Sequence, residues 1–240
     1  MNLRFDLVVA SSLFYVIYAV PKANYMIKHP EKYSEQERFE FGCKIMNFMR
    51  KRSRTKTYVY GMENLPEDEN YILYANHQGK YDVLGILITH EEPCSFVMDK
   101  NKSHTMLVRE FIDLVQGKRL EKDNPRQGIV IINEVTKEVA AGRKYILFPE
   151  GGYKFNNRNK VCDFKAGSFK IALKSKAPII PIALIDSYKV FNSFHLGPIT
   201  TQVHYLEPIT YDEYKDMKTH EIAALVKKRI EEKIASIEKN

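Results

Sequence analysis

The sequence predicts an α/β fold, a mixed and largely parallel sheet covered by helices, preceded by an N-terminal helical pair suited to a membrane surface. Three observations lead there. From Thr55 onward, apolar runs of strand length alternate with segments whose apolar residues recur at helical spacing, the pattern of strands joined through covering helices. The run Tyr71–Ala75 stops at Asn76 and His77, and a new apolar run starts at Val83, so a strand gives way to a helix within a few residues. Ahead of all this stands Leu7–Pro21, a stretch without a charge. With 240 residues, 44% hydrophobic and 28% charged, the chain has the composition of a globular protein with one full core. The reading divides it into helices over 1–54 and an α/β domain over 55–240.

Leu7–Pro21 holds fifteen residues between Asp6 and Lys22, and a bilayer-crossing helix needs about twenty. A cleaved leader fits poorly, because Arg4 is its only positive residue and no small-x-small site lies near Ala23. A buried helix and a monotopic helix lying in one leaflet both remain open. Ser34 and Glu37 form a capping box, and Phe39, Gly42, Ile45, Met46 and Met49 follow at helical spacing. That helix runs into Arg50, Lys51, Arg52, Arg54 and Lys56, five cations in seven residues with no acid. Such a cluster is drawn to anionic headgroups by about 1 kcal/mol per basic residue; a solvated helix end with the favourable sign for its dipole would look the same. Nucleic acid suits it less, since no aromatic-basic interleaving offers a stacking platform.

Strands are expected over Thr57–Tyr60, Tyr71–Ala75, Cys94–Met98, Tyr145–Phe148 and Pro178–Ile185, with Ile199–Leu206 as an edge. Helices are expected over Val83–Thr89 and Thr105–Gln116. Another starts at Asn124 and Pro125, carries Ile131, Val135 and Val139 inward, and ends at Gly142. Asp163 is read as the cap of a helix with small residues at Ala166, Gly167, Ser168 and Ala172, and Thr219–Glu238 as a long final helix. No internal repeat or low-complexity segment interrupts this order. The net charge of +7 points to acidic partners. Cys43, Cys94 and Cys162 are widely spaced, which fits a reducing compartment, and no His pair has helical ligand spacing, so neither a disulfide framework nor a metal is expected.

The chemistry gathers at two junctions. Along one straight helix His77 and Asp82 would point about 140° apart; a bend lets them meet, and Gly79 is the residue expected to allow it. A carboxylate against an imidazole selects its tautomer and stabilises its protonated form, as a general base requires; a capping Asp82 beside an unrelated loop His77 would read alike. Glu150, Gly151 and Gly152 follow another strand, where paired glycines bring backbone N–H groups close to an anion. An ordinary turn would read alike.

From Tyr58 to Glu207 the chain resembles the glycerolipid acyltransferase family, in particular bacterial 1-acyl-sn-glycerol-3-phosphate acyltransferases. The N-H-x-x-x-x-D motif stands as Asn76, His77 and Asp82, and F-P-E-G-T-R as Phe148 to Tyr153. An F-K-x-G element stands as Phe164 to Gly167, and a proline-bounded strand begins at Pro178. The resemblance implies acyl transfer from acyl-CoA or acyl-acyl carrier protein to the hydroxyl of a lysophospholipid, without other cofactor. His77 would be the base and Asp82 its partner, with Glu150 organising basic residues or the headgroup. It also implies work at the cytoplasmic face of the cell membrane, as a peripheral or monotopic protein. Two departures touch the acceptor. The second motif's arginine has Lys122 nearest and Arg119 before it, and the closing arginine of the third is Tyr153 followed by Lys154. Lysine offers a point charge instead of a bidentate fork. Phosphate binding is therefore expected from Lys100, Arg119, Lys122, Arg126 and Lys154 together, or the acceptor is a different lysophospholipid. A non-catalytic lipid-binding protein would share the basic helices but has no use for His77, Asp82 and Glu150 together.

Overall fold

The computed structural model describes residues 3–67, 70–105, 107–154, 157–192 and 197–239. Three helices come first: α1 (Leu3–Ser11), α2 (Leu13–Lys28) and α3 (Glu35–Arg52). Strand β1 (Thr55–Tyr60) opens the sheet, followed by β2 (Ile72–Ala75), α4 (Asp82–Leu87), β3 (Cys94–Asp99), α5 (Val108–Leu114) and β4 (Lys118–Leu120). Next come α6 (Pro125–Ala140), β5 (Lys144–Leu147), α7 (Lys170–Ser175) and β6 (Ile179–Ile185). The chain closes with α8 (Tyr188–Phe191), β7 (Ile199–Tyr205), α9 (Tyr211–Tyr214) and α10 (Thr219–Glu238).

Seven strands form one sheet in the order β1-β7-β6-β2-β5-β3-β4, parallel at each neighbour except the antiparallel β6–β7 pair. Side chains alternate across a strand, and the core divides accordingly. Ile72, Tyr74, Tyr145 and Leu147 pack under α6, α7 and α10. Tyr71, Leu73, Ala75 and Ile146 pack under α3, α4 and α5, where Phe39 and Met46 of α3 join them. The strand ends that carry Asn76 and Phe148 thus share one rim. Asn76, fully buried, ties β2 to β6 by donating to the Leu184 carbonyl at 3.1 Å and accepting from its N–H at 2.7 Å.

The capping box at Ser34 and Glu37 forms as expected, and Asn124 caps α6 by accepting from Gln127 N–H. Several expectations are corrected. The strand at β7 is interior; β1, whose outer residues are mostly exposed, is the edge. Strand β4 escapes a hydropathy reading because only three residues of mixed polarity pair with the end of β3. Asp163 does not cap a helix. It accepts from Lys227 Nζ at 2.8 Å, while Lys165 N–H bonds the Pro149 carbonyl and the chain enters α7 through a 3-10 turn at Ala166–Phe169. The helix expected from Thr105 is Val108–Leu114, and Met106 of that span lies outside the described residues.

The apolar N-terminal run is two helices meeting at 77°, with the break at Ser12 and Pro21 inside α2. The hydroxyls of Ser11 and Ser12 both donate to the Val8 carbonyl, which competes with the helical ladder there. Among the described residues no single helix is long and apolar enough to cross a membrane. Helix α2 packs Ala19, Ala23 and Met26 against Ile45 and Leu114. Its outer face exposes Leu13, Phe14 and Ile17, Phe14 at 89%.

Candidate active site

The first turn after β2 folds around one carboxylate. Asp82 is completely buried, and its Oδ2 accepts from His77 Nδ1 at 2.6 Å, from Gln78 N–H at 2.6 Å and from Gly79 N–H at 2.8 Å. Its Oδ1 accepts from the Ser187 hydroxyl at 2.5 Å. Four donors on an ionised acid are what such a burial needs. The bend that brings His77 and Asp82 together is real, but Gly79 does not make it by a left-handed conformation, since it is absent from the positive-φ glycines. A Cβ at Gly79 would lie 2.6 Å from Asn192 Oδ1, so close packing is what demands glycine.

An ionised carboxylate only accepts, so Nδ1 of His77 carries the proton and Nε2 keeps a lone pair. Nε2 makes no hydrogen bond among the described residues. The ring stacks on Phe148 at 4.3 Å and meets the Tyr153 ring edge-on at 4.8 Å, leaving 18% of the side chain exposed. An imidazole so held can take a proton from a group at the rim. Glu150 fixes His77 from behind, its Oε1 accepting the His77 backbone N–H at 2.9 Å. Burial pushes the Glu150 carboxyl up, against the lowering pull of that N–H and of Cys162 beside it. Gly151 and Gly152 have φ of 71° and 149°, which only glycine adopts easily. The Gly151 N–H closes the turn onto the Phe148 carbonyl, while the Gly152 N–H has no partner among the described residues.

The profile of the Acyltransferase family matches residues 56–185, more than half of the chain. The chain belongs to the Acyltransferase family. The 1-acyl-sn-glycerol-3-phosphate acyltransferase of Saccharomyces cerevisiae is 23% identical over 184 residues, covering 75% of this chain and 60% of that protein. Its namesake in Borreliella burgdorferi is 25% identical over 76% of this chain and 73% of its own. The chain thus spans less than two thirds of the yeast relative's length. The crystal structure of the 1-acyl-sn-glycerophosphate (LPA) acyltransferase PlsC from Thermotoga maritima superposes with a TM-score of 0.71 at 24% identity, over 97% of this chain and 94% of that one. That likeness concerns the fold, a mixed, mostly parallel sheet covered by helices.

Within this acyltransferase domain the basic residues named from sequence separate into two groups. Lys122 reaches the glycine turn: its Nζ pairs with Asp99 at 3.2 Å and lies 3.1 Å from where a Gly152 Cβ would sit. Among the described residues Lys100 and Arg119 show no contact with that turn. Lys100 Nζ pairs with Glu121 at 2.5 Å, and Arg119 pairs with Asp113 at 2.7 Å while its Nε donates to Ser103. Arg126 and Lys154 are exposed. Glu150 makes no ion pair among the described residues; its contact is with the backbone of His77. Two cations escaped the sequence reading. Lys165 Nζ lies 2.7 Å from the Cβ position of Gly151, so glycine makes room for it, and Lys102 Nζ sits 4.8 Å over the Tyr153 ring. The F-K-x-G element contained Lys165 without suggesting its direction; nothing in the sequence marks Lys102.

Ser187 and Gln78 escaped as well. The Ser187 hydroxyl also lies 2.8 Å from Gln78 Oε1, and Gln78 Nε2 donates to the Leu184 carbonyl and to Asn159 Oδ1. Ser187 follows β6 by two residues, more than a hundred positions after Asp82. Only the crossover of the sheet brings them together.

Proposed function

We propose that this acyltransferase moves an acyl chain from an acyl thioester, on coenzyme A or acyl carrier protein, to the free hydroxyl of 1-acylglycerol-3-phosphate, giving phosphatidate. The observation that carries the reading is the His77–Asp82 pair, with Nδ1 locked on a buried carboxylate and Nε2 open at the rim. His77 Nε2 takes the proton of the acceptor hydroxyl as its oxygen attacks the thioester carbonyl, and Asp82 stabilises the imidazolium that results. The tetrahedral intermediate then collapses; the C–S bond breaks, and the imidazolium returns its proton to the leaving thiolate. The acceptor supplies the nucleophile, so no acyl-enzyme forms. The Gly152 N–H is the donor on offer for the oxyanion.

The acceptor phosphate falls to Lys122, Lys165 and Lys102, which ring the Gly151–Gly152 turn and Tyr153. Point charges without a bidentate fork leave room for other lysophospholipids. In this reading the rim works at the cytoplasmic surface of the cell membrane, the protein attached there as a peripheral or monotopic one through the helices over 1–54; the exposed Leu13, Phe14 and Ile17 and the run from Arg50 to Lys56 support it.

Thiol release, followed with each donor against paired acceptors, tests the reading. His77→Ala lowers the rate by about two to four decades and leaves lysolipid binding intact. A rate within about tenfold of wild type, or an acyl-enzyme trapped from donor alone and seen by mass spectrometry, ends it.

A further inference from the structure

The rim that carries His77 has a second greasy and basic flank. Helix α6 begins there: the end of β4 runs into it, Gln127 ties back to the Arg119 carbonyl and the Glu121 N–H, and its first turns lie beside Leu120. Its inner face buries Val135 and Val139 under the sheet. About 100° per residue then puts Arg126, Ile129, Val130 and Asn133 on the outer face. Ile129 and Val130 are 60% and 52% exposed. Lys174 of α7 reaches across to Asn133 at 3.2 Å, and Lys170 stands one turn before it, nearer the rim. Arg126, Lys170 and Lys174 make no ion pair among the described residues, and the carboxylate nearest this stripe, the exposed Glu134 one turn after Val130, lies 3.6 Å from Lys118 Nζ. Two branched aliphatic side chains held in water among unpaired cations suit a surface that is apolar below and anionic above.

Position decides the partner. The N-terminal helices lie on the other face of the sheet, yet their exposed end is at the same rim. Phe5 of α1 packs edge-on against Phe191 of α8, just after β6, and Lys80 sits over the Phe5 ring. Helix α2 therefore starts at the rim with Leu13, Phe14 and Ile17 outward, near the end of α3, where Tyr15 stacks on Phe48. Apolar side chains with adjacent cations thus flank the His77 cleft on both faces of the sheet.

We propose that α6 is a second lipid-contact surface: Ile129 and Val130 enter the headgroup region while Arg126, Lys170 and Lys174 meet anionic headgroups, so the rim stands on the bilayer by two flanks with the cleft between them. The inference rests on the reading that the protein works at a membrane, and it adds the orientation. A lysolipid in the leaflet then meets His77 directly below the cleft.

The chain contains no tryptophan, so Val130→Trp gives an unmixed fluorescence probe on the full-length protein. With vesicles of equal parts phosphatidylcholine and phosphatidylglycerol, its emission shifts to the blue and is quenched by lipids brominated on the upper acyl chain. Ile129→Asp with Val130→Asp lowers co-sedimentation by about tenfold, while thiol release on detergent-dispersed acceptor stays at the wild-type rate. Wild-type binding with an unshifted Val130→Trp emission overturns the second contact and leaves the first intact. So does an aspartate pair that sediments like wild type but no longer captures acyl carrier protein, which would assign the surface to an acidic protein. Failure of the wild-type chain to bind vesicles at all overturns the membrane reading together with this one.

Discussion

The His77 ring is only as fixed as the carboxylate that holds it, and Asp82 is itself held by four donors. Three are local N–H groups of His77, Gln78 and Gly79; the fourth, the Ser187 hydroxyl, comes from the far side of the sheet. Without it Oδ1 is a buried lone pair facing an alanine methyl, and the carboxylate is free to tilt. Ser187→Ala is therefore expected to lower kcat by about tenfold with an unchanged KM for lysolipid, and Ser187→Thr to restore most of the rate. A second residue-scale prediction concerns pH. His90 is buried between the Tyr71 hydroxyl and the Glu92 carbonyl, and burial, with Lys144 nearby, holds it down at about 4. The unfolded chain then binds the extra proton first. Stability attributable to His90 is complete above about pH 6.5 and is lost as the pH falls towards 4, by roughly 3 kcal/mol. Urea midpoints across that window check it, and His90→Gln should flatten the slope.

At the scale of elements, two strands do most of the positioning. Asn76 ends β2 by giving and taking a hydrogen bond at Leu184 of β6, which sets the height at which His77 leaves the sheet. Asn76→Ala leaves the buried Leu184 N–H unpaired while Gln78 still bonds the Leu184 carbonyl, and a loss of about 1–3 kcal/mol in unfolding free energy is expected by urea denaturation. The Phe148–Tyr153 turn works in parallel. Two glycines in left-handed conformations let Lys165 and Lys122 close on the backbone, while Phe148 and Tyr153 sandwich the imidazole. Helix α3 belongs as much to the sheet as to the N-terminal helices, since Phe39 and Met46 join the core beneath β2 and β5. Tests of membrane attachment are accordingly made by substitution on the outer faces, because removing 1–54 would strip that core.

Over the whole molecule, charge and shape converge on one rim. Thirty-seven cations against thirty acids leave +7, and Arg126 and Lys170, which make no ion pair among the described residues, stand with the run after Arg50 at the same end as His77. Binding to anionic vesicles should consequently weaken steeply between low and physiological salt, as the Debye length shrinks to about 8 Å, and should keep an apolar remainder at high salt. Co-sedimentation at several ionic strengths checks this, and salt-independent binding would refute an electrostatic share.

Much of this was legible in the sequence because it is local. Alternating apolar runs gave the α/β class, the Ser34–Glu37 and Asn124 caps set helix starts, and the family motifs around His77, Asp82, Glu150 and the two glycines pointed to the candidate site, since each depends on a few neighbouring residues. Tertiary structure decided the rest. It placed β1 and not β7 at the edge, paired Lys100 with Glu121 and Arg119 with Asp113, and brought Lys165, Lys102 and Ser187 to the rim. Those outcomes depend on which distant strands pair and in what register, and pairing across a hundred residues leaves no periodicity in the chain to read.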